Sequence, residues 1–379
     1  MDGIYLDYNA TTPIAPEVRE AMQPYLENHF GNPSSTHSYG RAAQAGIAKA
    51  RNQMALLLGA SPEEIVFTSG GTEANNLAIR GAAVALRDKG RHLVTTTVEH
   101  PAVTQVMAHL ESEGWDVSYV PVDERGQVDP EAVEAALRPD TVLVSVMHAN
   151  NELGTIMPVA DIAARAHAKG VLVHTDAAQS VGKIPARVWD LGVDLLSVAG
   201  HKFYAPKGVG ALFVKRGTPL APVLFGAAQE EGRRPGTENT PYLVGLGRAA
   251  ELAIREQKKL APQWAALRDR LQDELVSSLP ADQVRVNGDL EHHLPNTLSI
   301  SFRGIQGDAL LNGLPEIAAS TGAACHADAV SLSTVLEAID LPLEFAKGTV
   351  RLSIGRYTTA EDVDRAAKLI VAKVKEMRR

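Results

Sequence analysis

The chain has 379 residues, 45% of them hydrophobic and 22% charged, and a net charge of −8. That length exceeds one small core and sets an expectation of two domains. The acidic balance leaves no basic surplus for phosphate contacts, which excludes a nucleic-acid binder held by charge, and the single cysteine, Cys325, excludes an intramolecular disulfide.

The opening MDGIYLDYNATTP lacks the basic and apolar regions of a signal peptide. Apolar runs such as TVLVSVM fall far below the roughly 18 residues of a membrane span. A soluble, cytoplasmic protein with no membrane partner is therefore expected.

From about residue 16 to 260, strand-length apolar runs alternate with helical stretches. The runs are EIVFTS (64–69), HLVTTTV (92–98), VSYVPV (117–122), TVLVSVM (141–147), VLVHTD (171–176), DLLSVAG (194–200) and GALFVK (210–215). Several lack polar alternation, as strands covered on both faces do. PVADIAARAHAKG (158–170) ends in Lys-Gly, a helix C-terminus. This alternation predicts an α/β fold with a largely parallel sheet. Beyond about residue 260 the pattern changes. QWAALRDRLQDELVSSL (263–279) reads as a connecting helix, and VRVNG (284–288), NTLSISF (296–302) and TVRLSIG (349–355) read as strands of a smaller α+β domain.

Three features carry chemistry. Lys202 sits in SVAGHKFYAPKGVGALFV (197–214), just after an apolar strand, and Asp176 closes the strand VLVHTD. FTSGGTEANNLAI (67–79) links a strand to a helix, and its backbone N–H groups with the Thr72 hydroxyl form an anion cradle. Alone, each has an ordinary explanation: a solvated lysine, a helix-capping acid, a glycine-rich turn. The cradle is not a Walker loop, because no G-K-[ST] follows it, and no strand leads into G-x-G-x-x-G. Together the three ask for one ligand with a phosphate, a ring nitrogen and an aldehyde. Pyridoxal 5'-phosphate has those parts. His100, in TVEHPAV (97–103), stands at a strand end where it would stack on the ring and relay protons.

The stretches YLDYNATTP (5–13), HFGNPSSTHSYG (29–40), EIVFTSGGTEANNLAI (64–79), VEHPAV (98–103), MHANNELGT (147–155), HTDAAQSVGK (174–183), AGHKFYAPKGVGAL (199–212) and RRPGTEN (233–239) resemble, in that order, the cysteine desulfurase family. These are pyridoxal-phosphate enzymes of fold type I in the class V aminotransferase group, and selenocysteine lyase is a close sister. The resemblance implies a large domain at 14–258 with a mostly parallel seven-stranded sheet. A small domain of 1–13 and 259–379 would carry Cys325 and Arg351. It further implies that Lys202 links to the cofactor aldehyde and acts as acid and base at Cα. Asp176 would pair with the ring nitrogen, Gln179 would hydrogen-bond the ring hydroxyl, and His100 would stack on the ring. Gly71, Thr72 and His201 would hold the phosphate, and Thr237 would reach the phosphate of a neighbouring subunit, giving a homodimer with shared sites. Asn151 and Arg351 would bind the substrate carboxylate. One departure is Ala199, where many relatives place a phosphate-binding serine.

Cys325 lies in STGAACHADA (320–329), with small residues before it and polar ones after it. Free cysteines are often buried, but no strand or helix stripe runs through this stretch, so a mobile loop is expected. The resemblance makes Cys325 the nucleophile. It would attack the sulfur of L-cysteine, leave alanine, and carry a persulfide to a protein acceptor. L-selenocysteine is the alternative substrate, since His326 directly after the cysteine looks more like the lyase group; the longer run to Arg351 looks like a sulfur-delivering desulfurase. An ordinary aminotransferase would not need Cys325. A dimeric binding protein that kept the cofactor site as a structural relic would not need Lys202, Asp176, His100 and Cys325 together. His292 and His293 in DLEHHLPN read as a solvated turn, and no metal is expected.

Overall fold

The protein is described by a computed structural model covering residues 3–326 and 329–379, with backbone alone for 323–326 and 329–331. All seven expected strands of the first half form and lie in one sheet. Its order is Ile65–Thr68, Gly210–Val214, Leu195–Ala199, Leu172–Asp176, Thr141–Ser145, His92–Thr96, Asp116–Val120. Gly210–Val214 runs antiparallel to both neighbours, and the other described pairings are parallel. Five of the seven strands are buried along their whole length. That burial explains why these runs are apolar throughout, since helices cover both faces.

Two buried histidines brace this sheet sideways. His174 meets Ser145 Oγ at 2.8 Å and Ser197 Oγ at 2.9 Å, one on each neighbouring strand. His92 does the same with Thr141 Oγ1 at 2.7 Å and Ser118 Oγ at 2.9 Å. Burial holds the His174 pKa down to about 4, so it braces as a neutral ring.

The connecting helix is longer than expected. It runs Thr240–Ser277, capped by the Asn239 side chain, and passes through Pro262. It packs along Ser38–Leu58 so closely that a Cβ on Gly247 would stand 2.5 Å from Ala50 Cα. Beyond it, an antiparallel sheet runs Ser320–Thr321, Thr349–Ser353, Thr297–Phe302, Val284–Asn287. Its core joins Ile4 and Leu6 to residues from Trp264 to Val374, separately from the clusters on the large sheet. Ile4–Tyr5 pairs in parallel with Ile317–Ala318, which ties the N-terminus to this second half.

The segment around Cys325, where no strand stripe is visible in the sequence and a mobile loop is expected, has strand pairing in its backbone. Ala323–His326 pairs antiparallel with Ala329–Leu332, setting Cys325 opposite Val330. The sequence hid this ribbon because alanines replace the β-branched residues that usually mark a strand. The side chain of Cys325 lies outside the described residues, as do Ala327 and Asp328.

Candidate active site

One pocket opens at the C-terminal ends of the parallel strands, where α/β sheets bind ligands. It is lined by Gly71, Thr72, His100, Asn151, Asp176, Gln179, His201 and Lys202, together with Asn75, Ala102, Met147, Ala149, Ala178 and Ala199.

Asp176 ends its strand buried. Its Oδ1 accepts from the Ala178 N–H at 2.9 Å and its Oδ2 from Asn75 Nδ2 at 2.7 Å. These two donors fix the direction of the carboxylate. Asn75 is a site residue that sequence reasoning missed. Its signal was spacing: one helical turn after Gly71 and Thr72, it shares their side of the helix.

Lys202 lies in the turn after Leu195–Ala199. Its Nζ donates to the carbonyls of Asn9 at 2.6 Å and Ala10 at 3.0 Å. Burial and the Arg351 charge lower its pKa to about 8, against Asp176 and Asp7, which raise it. A free amine is therefore accessible near neutral pH. His201 beside it is pulled down to about 4, first by burial and then by Lys202 and Lys207. It stays neutral, with Nδ1 3.1 Å from Thr11 Oγ1.

His100 caps the helix Pro101–Ser112, its Nδ1 accepting from the Ala102 N–H at 3.0 Å. In the neutral ring the proton thus sits on Nε2. The surrounding protein and Lys202 lower the His100 pKa, while Asp176 raises it. Below the pocket, Glu99 is buried, accepting from Thr96 Oγ1 at 2.7 Å and the Met147 N–H at 2.9 Å. Burial raises its carboxyl to about 8.

The helix Gly71–Leu86 begins at the pocket, entered through Gly70 at φ 151°, a conformation only glycine holds easily. Its first N–H groups have no intrahelical partner. Ala199 presses against this start, so that a Cβ on Gly71 would stand 3.2 Å from its methyl.

The Cys325 side chain lies outside the described residues, and Arg351 and Thr237 are not in the pocket lining. Arg351 adjoins it: one Nη donates to the Asn151 carbonyl at 3.0 Å, and the other donates to Asp7 Oδ1 at 2.9 Å and Ser320 Oγ at 3.0 Å. Among the described residues its buried Nε has no partner. Ser320 also donates to Asp7 at 2.8 Å, and the chain runs from there into the Cys325 ribbon. Thr237 is exposed, on a segment pinned to the pocket helix by Arg234 and Glu73 at 2.8 Å.

The donor set fits pyridoxal phosphate: an amine held near its free form, a carboxylate fixed by two donors, and open N–H groups at a helix start. Lys202, Asp176 and the Gly71–Thr72 turn would hold it. A lysine, a paired acid and this cradle at the ends of a parallel sheet define a pyridoxal-phosphate-dependent enzyme.

Comparison with known proteins agrees. The model of the aminotransferase class-V family matches residues 4–366. "Cysteine desulfurase IscS" of Dictyoglomus turgidum is 45% identical over 377 residues, covering 99% of this chain and 95% of its own. A solved NifS-like protein superposes with a TM-score of 0.93 at 39% identity, over 99% of this chain and 100% of that one. A structure of SspA in complex with cysteine gives 0.82 at 37% identity, over 94% and 99%. The chain belongs to the aminotransferase class-V family and, within it, to the cysteine desulfurases. Among the described residues no helix is long and apolar enough to cross a membrane.

Proposed function

We propose that the chain takes sulfur from L-cysteine, releases L-alanine, and carries the sulfur as a persulfide on Cys325 to a protein acceptor. The observation that carries this reading is the convergence of Lys202, Asp176 and His100 on one pocket, with Arg351 linking Asn151 of that pocket to Ser320, from which the chain runs into the Cys325 ribbon. The solved relative that holds cysteine supports the choice of substrate.

The bound cofactor would supply an aldehyde for the substrate amine and a ring able to accept electrons from Cα. Lys202, with its pKa near 8, removes the Cα proton and later returns one. Asp176 would stand against the ring nitrogen of the bound cofactor. Arg351 offers its unpartnered Nε–H to the substrate carboxylate, next to Asn151. His100, whose neutral ring carries its proton on Nε2, would serve as a proton donor from the pocket wall. The Cys325 thiolate then attacks the substrate sulfur. A sulfur–sulfur bond forms as the carbon–sulfur bond breaks, the electron pair stays with carbon, and carbon is protonated to alanine.

The same reading makes the protein a cytoplasmic homodimer, in which Thr237 completes the partner's phosphate site. Exposed Phe30, Tyr39, Leu224 and Phe225 support such a contact. It also divides the chain into a large domain at 14–258 and a small one formed by 1–13 and 259–379.

The decisive experiment is mass spectrometry of the Cys325 peptide during L-cysteine turnover, beside a Cys325→Ser variant. A persulfide should appear on Cys325. The variant should keep the visible cofactor absorbance and lose alanine formation. Full alanine formation by the variant sinks the proposal, and turnover confined to L-selenocysteine without a persulfide replaces it with the lyase.

A further inference from the structure

Behind the pocket wall lies a buried amine that this reaction does not use. Lys183 is 4% exposed and follows Gln179 by four residues. Its Nζ donates to Asn9 Oδ1 at 2.8 Å and to Gln179 Oε1 at 2.6 Å. The charges that act on it, Lys202 and Arg351, are both cations, and with burial they push its pKa well down. Two of its N–H groups are thus taken, one by Asn9 Oδ1 and one by Gln179 Oε1.

The other end of the Gln179 amide is equally constrained. Its Nε2 donates to the Asn9 carbonyl at 2.9 Å, the same oxygen that accepts from Lys202 Nζ at 2.6 Å. A carbonyl only accepts. Turning the amide over would set oxygen against oxygen at Asn9 and leave a Lys183 N–H facing an NH2 group. The amide therefore has one orientation, with one Nε2–H spent on Asn9 and the second left over. Gln179 lines the pocket beside Lys202 and Asp176.

We propose that Lys183 is a positioning residue that, together with the Asn9 carbonyl, clamps the Gln179 amide so that its free Nε2–H is presented to the ring oxygen of the bound cofactor. This rests on the reading above that Gln179 faces that oxygen. A donor there draws electron density from the oxygen and makes the adjacent Lys202–cofactor linkage harder to protonate. Lys183 acts on the linkage only through Gln179.

The test is a spectrophotometric pH titration of the Lys202–cofactor linkage in the holoenzyme, comparing wild type with Q179L, K183M and the double variant. Q179L should raise the linkage pKa by about half a unit, roughly threefold in its proton dissociation constant. K183M should raise it by about 0.3 unit, roughly twofold, and the double variant should go no further than Q179L. If K183M titrates as wild type while Q179L is shifted, Lys183 merely packs and the inference is overturned. If Q179L itself moves nothing, the placement of Gln179 against the ring is what fails. Neutron diffraction of the wild-type holoenzyme reads the clamp without any variant. Deuterons on Lys183 Nζ directed at Gln179 Oε1 support it, and an amide turned with nitrogen toward Lys183 refutes it.

Discussion

Asp176 and Cys325 both sit on strands, but the supports differ sharply. The Asp176 strand lies inside a seven-stranded sheet, is cross-braced two residues away by His174, and has its carboxylate held by Asn75 and the Ala178 N–H. Cys325 rides on a two-stranded ribbon, a unit that is marginal by itself in water. The ribbon's described hydrogen bonds to the rest of the protein are at its base, and its strand Ala323–His326 lies beside the helix Gly307–Asn312. Gly322 N–H donates to the Thr349 carbonyl at 3.1 Å, Ser333 N–H donates to the Gly322 carbonyl at 3.0 Å, and Ser333 Oγ donates to Glu152 at 2.6 Å. The contrast matches the proposed tasks. A charge that must stay on a ring nitrogen needs a stiff mount, whereas a sulfur carrier must reach both cofactor and acceptor.

The contrast can be broken from its stiff side first. Asn75→Ala removes one of two donors to a buried carboxylate, a bond of about 1.5–3 kcal/mol to a charged group. Turnover should fall roughly tenfold or more, with the visible absorbance of the bound cofactor altered, as steady-state kinetics and spectra would record. An unchanged rate would mean that the Asp176 mount does not need its second donor.

The next effect concerns what lies under the floor. Glu99 has a folded pKa raised to about 8 from 4.5, so the folded state binds its proton more tightly than the unfolded chain does. Its stabilising share is complete below pH 4.5 and is lost as pH rises toward 8, by up to about 1.4 kcal/mol per pH unit. His174 and His148, lowered to about 4, act with the opposite sign, costing stability as pH falls from 6.5 to 4. Glu99→Gln should therefore match wild type near pH 5 and exceed it in melting temperature near pH 8. Parallel curves at both pH values would show that Glu99 is ionised in the folded protein.

The smallest effect is expected at the ribbon. Ser333→Ala removes the bond to Glu152 and the cap of the helix Thr334–Ala338, together about 1 kcal/mol. Persulfide transfer should change about twofold, with the cofactor spectrum unmoved. A tenfold loss in transfer would mean that the ribbon base is a precise hinge rather than a loose anchor.

Much of this was legible in the linear chain. The seven strands announce themselves as apolar runs, because burial on both faces removes polar residues. Lys202, Asp176, His100 and Thr72 stand at strand or helix ends, where local spacing alone brings chemistry to a sheet edge. The Cys325 ribbon was not legible, since its alanines give no periodicity. Also hidden were the partnerships between distant segments. Asn9 meets Lys183, Lys202, Gln179, Asn296, Thr297 and Ser353, across separations of up to 344 residues. Asp7 meets Arg351 in the same way. By itself the sequence determined the strands and the pocket residues at their ends, in order, because those depend on neighbours a few positions away. Which amide a lysine clamps, which buried acid keeps its proton and which carboxylate holds the arginine were decided by the tertiary structure. Hydrogen bonding and desolvation act through space, and only packing brings those groups together.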